Sequence, residues 1–199
     1  MRTEAATLRV AAVPGAGVMT DVALVVLGAG LIAGSAQLSI PLPFTPVPIT
    51  GQTFAVLVVG ASLGSLRGGA SGLLYVLIGL AGAPVYASGG HGLDVITGAS
   101  GGYLVSYPFV GALTGWLAER RWDRRFSSAV GAMLTGNVII YLVGLPWLAV
   151  VLHTSLKKTL ELGLYPFVPG DIFKLYLAAA ALPAAWKLVE RVDRSKKGD

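Results

Sequence analysis

Apolar residues along this chain occur in long runs that short polar or basic segments separate. A helix needs about 20 mostly apolar residues to cross a bilayer. The pattern therefore predicts six membrane-spanning helices, at residues 21–39, 50–66, 69–87, 101–119, 127–152 and 171–190. We expect an all-α membrane protein, with a cytoplasmic N-terminal segment of residues 1–20, one six-span domain of residues 21–190 and a basic tail of residues 191–199.

A proline-dense segment joins the first two predicted spans. It lies within a stretch that has no charged side chain from Val22 to Leu66, and it contains Pro41, Pro43, Pro46 and Pro48. Prolines this close together break a helix, because each one removes a backbone donor and clashes with the preceding turn. The stretch therefore predicts a helix, an extended proline loop and a second helix. Such a loop is either a stiff connector or, because it is apolar and already ordered, a cover for an apolar ligand.

The composition agrees with a membrane protein. The chain has 54% hydrophobic and 13% charged residues and a mean hydropathy of +0.72, which is unusual for a soluble domain of this length. It has no cysteine, which excludes disulfides and thiolate chemistry. Its net charge of +5 comes from short basic clusters between apolar runs, so anionic membrane lipid is the expected partner rather than nucleic acid. No cleavable signal pattern stands out, and we expect direct insertion through the first span.

The basic residues predict the orientation in the membrane. With six spans both termini lie on one side, and positively charged residues concentrate on the cytoplasmic side. Cytoplasmic termini place most of the 15 basic residues inside and leave Lys157, Lys158 and Lys174 outside. The residues placed inside are Arg2, Arg9, Arg67, Arg120, Arg121, Arg124, Arg125, Lys187, Arg191, Arg194, Lys196 and Lys197.

The same parity places three unusual loops together on the outer face. These are the proline loop, residues 88–94 and residues 153–170. The last of them leads into Asp171 and Lys174, whose spacing of three puts both side chains on one face of the first turn of the sixth span. The two residues are either a first-turn acid with its ion-pair partner or the charged part of a binding site. The outer face is where we expect a site that receives a ligand from outside.

Motifs for catalysis are missing from the sequence. There is no GxxxxGK[ST] loop for a nucleotide phosphate, no HExxH and no GxSxG. The two histidines, His91 and His153, fall in separate predicted loops. We therefore expect no enzyme activity, cofactor or metal site, and any transport would need energy from a partner or a coupled ion.

Two separated segments resemble signatures of a known family. The segment PFTPVPITGQTF, residues 43–54, and the PxxPGDxxK pattern of residues 166–174 resemble those of BioY, the biotin-binding S component of energy-coupling-factor (ECF) transporters. Weaker similarities follow in the family's order at residues 79–87, 101–104 and 136–147. One departure is visible, since the family tends to have Gly-Pro-Thr before Gly-Gly-Tyr and this chain has Gly98-Ala99-Ser100.

The resemblance implies an S component that captures biotin at its outward face and takes it up across the cytoplasmic membrane of a prokaryote. The alternatives are an S component for another vitamin or a metal, and a six-span membrane protein without a transport role. For Tyr103 and Asn137, helix packing and interhelical hydrogen bonding are competing explanations. The residues expected to bind biotin are Asp171, Lys174, Phe44, Thr45, Gln52, Tyr86, Tyr103 and Asn137.

Small residues recur at a spacing of four in the first span. Ala29 and Ala33 form one such pair, and Gly30 and Gly34 form another. Small residues let a second helix approach closely, either within the bundle or in a partner. Because S components resemble this chain in carrying an AxxxA-type stripe, the resemblance implies that these four residues dock the transmembrane subunit EcfT, which works with two ATPase subunits.

Overall fold

The computed structural model describes residues 7–13, 15 and 17–195, with side chains up to residue 192. Arg2, Lys196 and Lys197 of the predicted topology lie outside the described residues, as does the side chain of Arg194. The described part is mostly helical, and its elements follow one another along the chain. They are α1 (Leu8–Ala12), α2 (Val18–Ala36), β1 (Ser39–Leu42), β2 (Thr45–Thr50), α3 (Gln52–Leu63), α4 (Ser65–Leu80), α5 (Gly92–Thr97), α6 (Gly101–Glu119), α7 (Phe126–Leu152), α8 (Leu156–Gly163) and α9 (Val168–Ser195).

Six of these helices, α2, α3, α4, α6, α7 and α9, lie at the predicted spans. The predicted bounds are closest for α6 and α7 and wrong for α3 and α4. Gly64 separates α3 from α4 with a φ of +89°, a conformation that strongly favours glycine. Helix α4 then ends at Leu80, so residues 81–87 form turns instead of completing a span. Three helices of the described part, α2, α7 and α9, are long and apolar enough to cross a membrane by length and composition.

The proline-dense segment is a β-hairpin and not a loop without regular structure. Strands β1 and β2 pair antiparallel, with Ser39 opposite Thr50 and Leu42 opposite Thr45. The register shifts between Ile40 and Leu42, at Pro41. A two-stranded sheet has only edge strands, where a residue without a backbone donor is tolerated. The prediction of an all-α protein is therefore wrong at this hairpin, while the prolines do keep the segment out of the helices.

Three glycines bring α3, α4 and α6 together at one end of the bundle. A Cβ at Gly111 of α6 would lie 2.4 Å from the carbonyl oxygen of Gly68 in α4, and one at Gly68 would lie 2.6 Å from the Cα of Gly60 in α3. The three backbones touch where no side chain fits. This contact closes the bundle near the α3–α4 junction and leaves space at the opposite ends of the same helices.

Charged residues reinforce the closed end. Asp21, at the start of α2, accepts hydrogen bonds from Arg9 of α1 at 2.5 Å and from Arg67 of α4 at 2.6 Å. In the loop between α6 and α7, the buried carboxylate of Asp123 accepts a hydrogen bond from the indole N–H of Trp186 in α9. Burial raises the pKa of the Asp123 carboxyl. On the side away from the hairpin, these bonds join α1, α2 and α4 at one point and fasten α9 to the loop between α6 and α7 at another.

Candidate functional site

A cavity of about 290 Å³ lies at the hairpin end of the bundle. It forms between β2, α5, the start of α3, the first two turns of α6 and α9, the middle of α7 and the turns after α4. Its walls are mostly apolar or aromatic, with a few polar groups, which is the usual composition of a small-molecule site. The residues that line it are Pro46, Val47, Pro48, Thr50, Gln52, Thr53, Tyr86, Ala87, Val95, Ser100, Tyr103, Leu104, Tyr107, Ile140, Tyr141, Phe167, Asp171 and Lys174.

A chain of hydrogen bonds crosses one wall of the cavity. Lys174 donates from Nζ to Asp171 Oδ1 at 3.0 Å and to Thr53 Oγ1 at 3.1 Å. The hydroxyl of Tyr141 donates to the other oxygen of Asp171. The four residues thus connect α7, α9 and α3, and the ion pair joins a buried carboxylate to a partly buried ammonium group. Of the described residues that line the cavity, Asp171 and Lys174 are the two that carry charge.

This wall retains hydrogen-bonding capacity for a ligand. An ammonium group has three N–H donors, and the hydrogen bonds of Lys174 to Thr53 and Asp171 use two of them. Each oxygen of Asp171 accepts one hydrogen bond, and a carboxylate oxygen can accept two. The pair can therefore accept from ligand N–H groups and donate to a ligand oxygen. Bonds to ionised groups are stronger than those between neutral groups.

The amide of Gln52 forms a second polar cluster at the start of α3. Its oxygen accepts hydrogen bonds from the hydroxyls of Thr50, at 2.9 Å, and Tyr107, at 3.4 Å, while its nitrogen donates to Tyr75. The rings of Tyr75 and Tyr107 stack with centroids 6.2 Å apart. Protein groups engage both ends of the amide, so its orientation is fixed in the structure. We interpret Gln52 mainly as a support for the wall of the cavity.

Two tyrosines present their rings to the cavity while backbone carbonyls hold their hydroxyls. Tyr86 donates to the carbonyl of Val76 at 2.5 Å, and Tyr103 donates to the carbonyl of Gly163 at 3.0 Å. With the hydroxyls occupied, the aromatic rings are what these residues offer to a ligand. Together with Phe167 they give the cavity an apolar surface beside the charged pair. The arrangement suits a molecule with an apolar body and a few polar groups.

Comparison with known proteins agrees with this fold and cavity. A family model described as the BioY family matches residues 3–191 of the chain. The chain belongs to the BioY family. The resemblance that the two sequence motifs indicated is thereby confirmed.

Relatives of this BioY-family chain are similar over most of their length. A protein of Rhizobium etli named biotin transporter BioY is 35% identical over 167 residues, which cover 80% of this chain and 89% of the relative. A protein of Thermotoga maritima with the same name is 36% identical over 149 residues, covering 75% of this chain and 85% of the relative. The apolar helices and these relatives show a multi-pass membrane protein.

A solved structure has the same fold. It is the crystal structure of the S component for biotin from an ECF-type ABC transporter, which superposes with a TM-score of 0.75 and is 26% identical. The match covers 85% of this chain and 92% of the other. The bundle is therefore an S-component fold, as the sequence predicted, while the count of six spans and the orientation stay predictions.

The structure brings five of the predicted ligand-binding residues of this BioY-family chain to the cavity, namely Asp171, Lys174, Gln52, Tyr86 and Tyr103. The other three lie outside it. Phe44 is 59% exposed at the hairpin turn. Thr45 donates to the carbonyl of Leu162 in α8 at 2.7 Å, which fastens the hairpin to that helix. Asn137 is buried in α7, and its side-chain oxygen has no hydrogen-bond partner within the described part of the chain.

Sequence reasoning missed two members of the hydrogen-bonded wall that contains Asp171 and Lys174. Thr53 follows Gln52 directly in the proline-rich motif, so its position beside a predicted site residue was the available signal. Tyr141 lies in the middle of α7, where ordinary helix packing is sufficient to explain an aromatic residue. Only the crossing of α7 and α9 brings its hydroxyl to Asp171.

The small residues of α2 face in two directions. Ala29 is 2% exposed and belongs to the core of the bundle, and Ala33 is partly buried. Gly30 and Gly34 are exposed, and apart from the neighbouring backbone of α2 itself no described atom lies within 4 Å of a Cβ built at either one. The predicted stripe of four residues is thus divided. The glycine pair lies on the open face of α2, whereas Ala29 has no surface to offer a partner.

Proposed function

We propose that this BioY-family chain binds biotin in the cavity and serves as the substrate-binding S component of an ECF-type biotin transporter. The observation that carries the proposal is the Asp171–Lys174 ion pair, a buried carboxylate with a partly buried ammonium group, beside the aromatic surface of the cavity. The names of its relatives and of the solved S component support the choice of biotin.

The chemistry of biotin fits these walls. Its ureido ring has two N–H donors and one carbonyl, its thiophane ring and valeryl chain are apolar, and its tail is a carboxylate. Asp171 has acceptor capacity for ligand N–H groups, and Lys174 has a donor for a ligand oxygen. The rings of Tyr86, Tyr103 and Phe167 match the apolar body. A ligand that satisfies the pair while filling the apolar part avoids leaving buried polar groups unpaired.

Biotin added to the purified protein in detergent tests the proposal. A ligand that binds only the folded state adds about 2.7 kcal/mol at 100 times its dissociation constant, which raises the melting temperature clearly. Thiamine and riboflavin serve as controls. If one of them raises the melting temperature and biotin does not, the chain is an S component for a different vitamin.

The proposal places the cavity on the outer face of the cytoplasmic membrane, with both termini inside. The distribution of basic residues supports this orientation. Because the chain has no cysteine, single cysteines can report it. A cysteine at Phe44, exposed at the hairpin turn, should react with an impermeant maleimide on intact cells. A cysteine at Trp122, exposed between α6 and α7, should react only after the cells are permeabilised, and the reverse pattern would contradict the orientation.

Transport would require an EcfT-type subunit and two ATPase subunits, and the ATPases would supply the energy by ATP hydrolysis. The open glycine face of α2, with Gly30 and Gly34, is the surface we propose for EcfT. In lipid, small residues promote association because the backbones can approach closely. Membrane lipid would cover the remaining exposed apolar side chains of this helix.

A further inference from the structure

We propose that Tyr141 is a positioning residue of the ligand site, which acts by holding the carboxylate of Asp171 toward the cavity. This inference rests on the proposed binding of ligand at Asp171 and Lys174. In this proposal the hydroxyl of Tyr141 contributes to ligand affinity indirectly, by orienting the carboxylate of Asp171.

The hydrogen bonds around Asp171 carry the first step. The side chain of Asp171 is largely buried, and its two oxygens have different partners. Lys174, from the same helix, holds Oδ1 at 3.0 Å, and Tyr141, from α7, holds Oδ2. Two donors on opposite oxygens fix the rotation of the carboxylate, which one donor alone does not. The direction in which the remaining acceptor positions point is thus set by the pair of donors.

The position of the Tyr141 ring is itself fixed. Its edge meets the ring of Tyr103 at a centroid distance of 6.3 Å and an interplanar angle of 88°, a favourable geometry for aromatic pairs. The hydroxyl of Tyr103 is in turn bound to the carbonyl of Gly163 at the end of α8. The hydroxyl of Tyr141 therefore reaches Asp171 from a supported ring, which is what a positioning residue requires.

The position of Asp171 in its helix favours another orientation of the carboxylate. Asp171 is the fourth residue of α9, and an acidic side chain in the first turn is attracted by the partial positive charge at the helix start. A carboxylate that turned that way would offer the cavity less. The hydroxyl of Tyr141 opposes this rotation, because it binds the oxygen that Lys174 does not hold.

The rival explanation is that the Tyr141–Asp171 bond only joins α7 to α9. Loss of the bond would then lower stability and leave ligand affinity unchanged. A double-mutant cycle separates the two roles, because residues that act through each other have non-additive effects. The single variants are Tyr141→Phe and Asp171→Ala, combined in a double variant, and the cycle is repeated with Asp171→Asn in case the alanine variant does not fold.

Tyr86→Phe is the matched control. It also removes a tyrosine hydroxyl from the cavity wall, but that hydroxyl binds the carbonyl of Val76 and not Asp171. Its effect on affinity should be the same factor whether or not Asp171 is replaced.

Biotin affinity measured by isothermal titration on monodisperse samples decides the matter. We expect Tyr141→Phe to weaken biotin roughly twofold to tenfold in the parent and to change it by less than twofold when Asp171 is replaced. An unchanged affinity in Tyr141→Phe, or an equal loss in both backgrounds, overturns the inference while the proposed function stands. A folded parent that does not bind biotin overturns both.

Discussion

The two faces of α2 give a prediction about coupling to the partner subunit. Gly30→Leu and Gly34→Leu add bulk on the open face, whereas Ala29→Leu adds similar bulk inside the bundle. We expect the glycine variants to fold, to bind biotin as the parent does and to lose uptake. We expect Ala29→Leu to be unstable. The two outcomes should differ because Ala29 faces the core of the bundle, whereas its neighbour Gly30 faces outward.

The structure sets the magnitudes. Replacing an exposed helical glycine by leucine should raise the free energy of unfolding by about 0.5–1 kcal/mol, because glycine is a poor helix former. An extra side chain in a packed core costs about 1–3 kcal/mol, which is the penalty we expect for Ala29→Leu. The same cost, imposed on a close helix–helix interface, would weaken the partner complex roughly fivefold to a hundredfold. Biotin affinity should stay unchanged in the glycine variants, since the cavity residues lie on other elements.

Three measurements test this reasoning on the same variants. Melting curves report stability, titration of the purified chain reports biotin affinity, and uptake of labelled biotin by cells that express the partner proteins reports coupling. Normal uptake in both glycine variants would show that this face does not dock EcfT. Gly30→Ala serves as the mild control, because a methyl group keeps the small-residue surface that close packing needs.

The other predictions concern the charged pair, the hairpin turn and the loop between α6 and α7. Asp171→Asn should weaken biotin by about 1.5–3 kcal/mol, roughly tenfold to more than a hundredfold, and Lys174→Met should weaken it while keeping the apolar stem; titrations within twofold of the parent for both would make the pair structural. Phe44→Ala should leave biotin affinity within about twofold, since this side chain lies outside the cavity, and a larger loss by titration would bring the hairpin turn into the site. Asp123→Asn concerns pH: because burial raises the pKa of Asp123, the folded protein holds this proton more tightly than the unfolded chain, and the parent should lose stability as pH rises from about 4. The variant keeps an acceptor for Trp186 and lacks this loss, so a parent–variant difference in melting temperature that stays constant from pH 4 to 7 would contradict the expectation.

The positions of helices could be predicted where the apolar runs were long. The bounds of α6 and α7 match their predicted windows closely, because apolar runs of that length have few folds other than a helix in a membrane protein. The bounds of α3 and α4 were not predictable in the same way. The break at Gly64 depends on a positive φ, and residues 81–87 form turns although they continue an apolar run.

The hairpin shows a similar limit. The density of prolines excluded a helix between α2 and α3, because proline lacks a backbone donor and clashes with the preceding turn wherever it occurs in a helix. The choice between an open loop and paired strands depended on the partner strand and on the bond from Thr45 to α8. That bond joins residues 117 positions apart, and sequence spacing cannot supply a contact between segments so distant in the chain.

The sequence by itself determined the class of protein, the family and the charged pair of the candidate site. Hydropathy is a local property, and Asp171 and Lys174 share a helix face through their spacing of three. Tertiary structure decided the rest: Tyr141 and Thr53 reach that pair only because α7, α9 and α3 cross beside the cavity, while Ala29 is buried and Gly30 exposed because α2 turns one face to its neighbours. Contacts between segments that are distant in the chain decide which side of a helix packs and which residues it meets. The local sequence pattern does not specify those contacts.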